Sequence, residues 1–163
     1  MAFEIDNIII EQSLKVNGLP VGNPSYFFQE IQDNVTATPI ITQGDYESII
    51  GARIDKELQD FTSGAFALTY IGLLTKKFKI SASITHESGS TLFHQYSLAI
   101  FKNGILQTKI ISALDNSVGY PRNTSLNTII ELSENDTIEL KVTDLDGDQS
   151  YLLMDLQLTG NSI

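Results

Sequence analysis

From Phe61 onward the chain alternates. Phe66, Leu68 and Tyr70 are interleaved with Ala65, Ala67 and Thr69, and after a turn at Gly72 the residues Phe78, Ile80, Ala82 and Ile84 are interleaved with Lys77, Lys79, Ser81, Ser83 and Thr85. Successive side chains of an extended strand point to opposite faces, so a period of two predicts strands with one face in a core. Tyr96, Leu98 and Ile100 continue the pattern up to Asn103-Gly104, and Leu106, Thr108 and Ile110 resume it. Asn-Gly between two apolar runs predicts a tight hairpin, because both central residues of a type I′ turn need positive φ. Leu126, Thr128, Ile130 and Leu132 follow, then a turn at Ser133–Asp136, then Ile138, Leu140 and Val142, a turn at Asp144–Ser150, and finally Leu152, Met154, Leu156 and Leu158. Strands in this number, with turn signals roughly every 8 to 12 residues, predict an all-β sandwich or barrel.

The chain before Phe61 is irregular. Met1–Asn23 carries apolar Phe3, Ile5, Ile8, Ile9 and Ile10, but Asn17-Gly18, Pro20 and Gly22 interrupt it and Pro24 follows, so it predicts an extended arm. Such an arm either packs as an extra strand on its own domain or anchors in another protein. Phe27–Asp33 fits a short helix or a strand, Thr36–Thr42 is β-branched and extended, and Gly44–Lys56 fits a short helix or a connecting loop. The expected division is an arm and lead-in at 1–35 and a β-domain at 36–163.

The order FTSGAFALTYIGLL, FKISASITHE, SLAIFKNG, SLNTIIELSENDTIELKV and LMDLQLTG resembles the jelly-roll domain of the complement C1q and tumour necrosis factor superfamily, in the versions found in bacteriophage and other viral structural proteins. The pieces that carry the resemblance are the strand ending in Lys102-Asn103-Gly104, and Ile129-Ile130-Glu131-Leu132 followed by Asn135-Asp136 and Ile138–Val142. It spans about Phe61 to Gly160, with Leu158-Thr159-Gly160 where many eukaryotic members have Phe-Ser-Gly. The resemblance implies a two-sheet antiparallel jelly-roll sandwich, C1q/TNF-like, assembled as a homotrimer about a threefold axis. Apolar residues of the opposite parity agree with it: Ala99, Phe101, Ile129, Tyr151 and Leu153 are candidates for the trimer interface, because a strand apolar on both faces must be covered on both. Cover by the arm or a loop of the same chain is the other way to satisfy them.

Composition narrows the function. Ten Lys and Arg stand against 20 Asp and Glu, a net charge of −10, which disfavours a nucleic-acid binder that must neutralise phosphates. No window reaches the roughly 20 consecutive apolar residues of a membrane span. Met1–Gln12 lacks the basic start and apolar core of a secretory signal, so no export address is expected. The chain has no cysteine, which excludes disulfides and thiolate metal sites.

Chemistry finds little purchase. His86 and His94 flank the turn at Glu87–Ser90, and a histidine pair beside a carboxylate is a donor set for a transition metal. Two histidines in a strand pair are nevertheless more often ordinary polar positions. Asp144, Asp146 and Asp148 around Gly147 resemble the start of a calcium loop, but the glycine comes one step early, and a solvated acidic turn is expected instead. No cofactor or metal is therefore assigned, these five residues coming nearest to one. No nucleophile triad, phosphate-cradling loop or carboxylate pair stands out, so the chain is not expected to be an enzyme. The expected function is a structural component of a virus particle, in the capsid, head fibre or tail. Phe3, Ile5, Ile8 and Ile10 of the arm would attach it to other virion proteins. The alternative is a receptor-binding or adhesion module that holds a host glycan or protein in the loops Glu87–Thr91, Asp115–Asn123 and Asp144–Ser150, whose one aromatic is Tyr120. The expected location is the virion, or the extracellular space for a non-viral chain.

Overall fold

The computed structural model describes residues 15–16, 19–20, 24–88, 94–114 and 121–163. A small antiparallel ribbon of Lys15–Val16 (β1) and Leu19–Pro20 (β2) precedes two larger antiparallel sheets. One sheet holds, edge to edge, Arg122–Leu132 (β11), Lys76–Ser88 (β8), Tyr151–Ser162 (β13), Tyr26–Ile31 (β3) and Ile54–Gln59 (β5). The other holds Ile105–Leu114 (β10), His94–Lys102 (β9), Thr137–Asp144 (β12), Ala67–Tyr70 (β7) and Phe61–Ser63 (β6). Glu47–Ser48 (β4) also pairs with β12, beyond the end of β7. No helix occurs among the described residues.

The alternation seen in sequence becomes the core. Phe78, Ile80, Ala82 and Ile84 of β8 face Leu98 and Ile100 of β9 and Leu140 and Val142 of β12 across the sandwich, all of them buried. Four aromatic rings fill one end: Phe61 lies 4.9 Å from Phe27, 5.2 Å from Tyr70 and 5.3 Å from Phe78. Burying each such ring contributes on the order of 2–3 kcal/mol. The hairpin joining β9 and β10 turns at Asn103 (φ 51°) and Gly104 (φ 75°), the positive-φ pair that a type I′ turn requires.

Two open alternatives are decided and two expectations change. Residues 27–33 are not helical, because Tyr26–Ile31 runs as a full strand between β13 and β5; the domain therefore begins before Tyr26, and the boundary expected after residue 35 falls inside it. Gly44–Lys56 is loop around the two residues of β4, with β5 starting at Ile54. In β13 the core side is reversed at its start: Tyr151 and Leu153 are buried while Leu152 and Met154 are half-exposed. A register shift against β8 between Leu153 and Asp155 inserts one extra residue, so that Leu156 and Leu158 point into the same core as Tyr151 and Leu153.

The sandwich has two distinct ends. At one, the Asn103-Gly104 turn meets the Ser133–Asp136 turn, and the chain enters at Ser25, whose N–H donates to Ser162 Oγ at 3.0 Å. At the other lie His86, His94, the Asp144–Ser150 turn, and the strand ends Leu114 and Arg122.

Candidate functional site

Four of the five interface candidates are covered by their own chain. Ala99, Phe101, Tyr151 and Leu153 are buried, whereas Ile129 is 61% exposed. Tyr151 and Leu153 belong to the core because of the β13 bulge. Ala99 and Phe101 lie on the outer face of β9, where the segment 34–51 crosses the sheet. Tyr46 packs edge-on against Phe101 with centroids 5.1 Å apart, its hydroxyl shares a 2.7 Å hydrogen bond with Ser97 Oγ, and Lys141 Nζ lies 5.5 Å from the Phe101 ring centre. Asn34 ties this strap down by donating from Nδ2 to the carbonyls of Leu153 (2.7 Å), Ile50 and Thr36 (both 3.1 Å). Arg53, at the far end of the strap, has its pKa drawn down by burial, an effect opposed by Glu139 and Asp55.

Exposed apolar surface lies elsewhere. Ile129 on β11 and Ile105, Leu106 and Ile111 on β10 are exposed, and these two edge strands meet along one side of the sandwich. The β10 residues were legible by the argument already used for Ile129: in the adjacent pairs Ile105-Leu106 and Ile110-Ile111, both members cannot face one core. At the end where Ser25 enters, Ile71, Leu73, Leu74 and Ile163 are exposed, Leu73 by 85%. The loop carrying them is held in one shape. Tyr70 donates its hydroxyl to the Leu74 carbonyl at 2.7 Å and its ring lies against Gly72, where a Cβ would come within 2.2 Å of the Tyr70 oxygen. Phe3, Ile5, Ile8 and Ile10 lie outside the described residues, as do Gly89–Phe93 and Asp115–Tyr120, including Tyr120.

The histidines and aspartates do not assemble a metal site. His86 and His94 stand in opposite sheets, and among the described residues no group of three metal-ligating side chains converges. The acidic turn is not simply solvated either. Asp144 is fully buried, and its carboxylate accepts the N–H of Asp146 (2.9 Å) and of Gln149 (3.1 Å) and faces His94 Nδ1 at 2.9 Å. Asp146 accepts the Gln95 N–H at 2.9 Å, and Asp148 accepts from the Gln149 side chain at 3.3 Å. Three aspartates thus shape the turn by capturing backbone and side-chain donors, a use that needs no cation.

Between the histidines runs a ladder of buried rings that the sequence pattern did not single out. His86 stacks on Tyr151 (5.3 Å), Tyr151 on Tyr96 (5.1 Å) and Tyr96 on His94 (6.2 Å). Tyr96 donates its hydroxyl to the Ser150 carbonyl at 3.1 Å, whereas the Tyr151 hydroxyl, His86 Nδ1 and His94 Nε2 have no hydrogen-bond partner among the described residues. Burial pushes the Tyr151 pKa up, with Tyr96 adding to it, and pushes His86 down to about 4.

No family model matches the sequence, and no curated protein does either. Solved structures do match. Murine APRIL in a crystal at pH 5.0 superposes with a TM-score of 0.55 at 9% identity, over 85% of this chain and 99% of that one. The pH 8.0 crystal of the same protein gives 0.55 at 10% identity, over 86% and 100%. Eiger TNF from S. frugiperda gives 0.50 at 11% identity, over 85% and 92%.

Proposed function

We propose that this chain, which has the C1q/TNF-like jelly-roll fold, is a trimeric structural module of a virus particle, attached at one end of its sandwich and displaying the other. The observation that carries this reading is the opposition of the two ends. The chain leaves the domain at Ser25 beside exposed Leu73, Leu74 and Ile163, so the apolar arm departs from an apolar end. The strand ends flanking all three candidate loops lie at the opposite end. Subunits meet along the β10–β11 edge, where Ile105, Leu106, Ile111 and Ile129 give the apolar surface that an assembly covers.

The test is direct. Light scattering of the purified chain should give three times its 18.0 kDa mass, and mass spectrometry of purified particles should find it at fixed copy number. Removing residues 1–23 should leave a soluble, cooperatively melting trimer that no longer enters particles. A monomer at micromolar concentration, or a truncated chain that is molten, overturns the assembly or the arm's role respectively.

A second reading has its own support, since the Asp144–Ser150 turn is held rigid by the Asp144 bonds and so offers a preformed surface. In that reading the loop end recognises a host glycan or protein. Binding of the trimer to a glycan array, lost on alteration of this turn, would favour it. No catalytic role is proposed for any residue.

A further inference from the structure

We propose that the loop-bearing end of the sandwich is an acid-responsive latch: the ring ladder joins the two sheets while His86 is neutral, and a proton on His86 parts them there. The ladder spans the two sheets at this end, since His86 and Tyr151 belong to one and Tyr96 and His94 to the other, and the His86–Ser112 bond crosses between them beside it. Both histidines of the chain are in it.

The two rings stand in different surroundings. His94 faces the Asp144 carboxylate at 2.9 Å, both groups belonging to one sheet. His86 has nothing comparable. Its Nε2 shares a 3.1 Å hydrogen bond with Ser112 Oγ on β10, its Nδ1 has no partner among the described residues, and its face is covered by Tyr151 of β13. Its strand partners are Arg122 on β11 and Leu153 on β13; Glu87 is its neighbour in β8, and Asp155 stands opposite Thr85. Among the described residues no carboxylate pairs with it, and what lowers its affinity for a proton is burial. A protonated His86 must therefore find water, and the way to water is between the sheets.

The sign follows from the pKa of about 4 in the closed form against about 6.5 for an exposed ring. The open form binds the proton more tightly, so closure is fully favoured above about pH 6.5 and weakens as pH falls toward 4. The Ser25 end has no histidine and stays closed over that window.

Hydrogen exchange of the full chain, corrected for intrinsic rates, at about pH 7.5 and about pH 5, tests this. Segments 82–87, 94–97 and 144–153 should lose protection roughly tenfold or more at the lower pH, with 100–106 and 132–140 unchanged. His86→Gln should abolish the difference and His94→Gln should keep it. Equal loss at both ends, or a His86→Gln chain that still responds, overturns the latch. Should that variant fail to fold, the ring of His86 followed by NMR in the unaltered chain decides: titration below about pH 5 together with the exchange change supports it, and titration near 6.5 without any overturns it.

Discussion

Gly160 lies directly under the ring of Phe27: the two are register partners in β13 and β3, and a Cβ on Gly160 would come within 2.1 Å of Phe27 Cε1. Phe27 in turn packs edge-on against Phe61, so the ring cannot move aside without disturbing the aromatic cluster. Gly160→Ala should destabilise by about 2–3 kcal/mol through overpacking. Combining it with Phe27→Leu should recover part of that loss, and equal melting curves for Gly160→Ala and the unaltered chain would contradict the packing.

The Asn103-Gly104 turn separates backbone from side-chain effects. Nothing lies within 4 Å of a Cβ on Gly104, so Gly104→Val should cost roughly 1 kcal/mol or more from its positive φ alone. Asn103→Ala should cost more. Its carboxamide accepts the Thr137 N–H at 2.8 Å and donates to Asp136 at 2.6 Å, linking the turn to β12. Denaturant midpoints for the two variants should fall in that order.

Asp136 should set part of the acid limit. Burial works to raise its pKa, but the bonds from Lys102, the Ser133 N–H and Asn103 outweigh it and the pKa lies below the ordinary value. The unfolded chain then binds the proton more tightly. The stabilisation is complete above about pH 4 and is lost as pH falls through the depressed value. Asp136→Asn should lower stability at pH 7 by roughly 1–3 kcal/mol and flatten the melting temperature below about pH 4. That window lies beneath the one assigned to His86, and an unchanged acid slope would remove Asp136 from the account.

Asn34→Ala should loosen the strap. Three carbonyls would lose a donor, at roughly 2 kcal/mol in total, and limited proteolysis should cut between residues 35 and 50 faster than in the unaltered chain. Unaltered cleavage would mean that Tyr46 and β4 hold the strap without it.

Where one face of a strand is apolar and the other polar, as in β8 and β11, the core residues could be read directly from the chain. The resemblance extended that reading to the two-sheet sandwich. Tyr26–Ile31 reads as helix or strand alike because the middle core-facing position is Gln29, which is buried only by donating to Asp55 and Ser63. The bulge in β13 escaped because one extra residue between Leu153 and Asp155 calls for no particular side chain, yet it exchanges the faces of Tyr151 through Met154. Two interface candidates fell with it. Ala99 and Phe101 were correctly read as needing cover, but what covers them is the irregular strap, whose path depends on single contacts by Asn34 and Tyr46 and carries no period. In the acidic turn, charge suggested solvent, whereas Asp144 is committed to backbone donors, a choice that depends on loop geometry.

The place of β3 bears on how the molecule is made. It is held by β5, its near neighbour in the chain, and by β13, the last of the described strands to leave the ribosome. Until β13 arrives, the five-stranded sheet exists only as two separate pairs, β3 with β5 and β8 with β11, and Phe27 has no Gly160 to lie on. A chain that still lacks β13 carries those half-sheets with their apolar faces uncovered, and the arrival of β13 closes them in one step. Docking of β13, more than any early local event, is the step that makes this sheet whole.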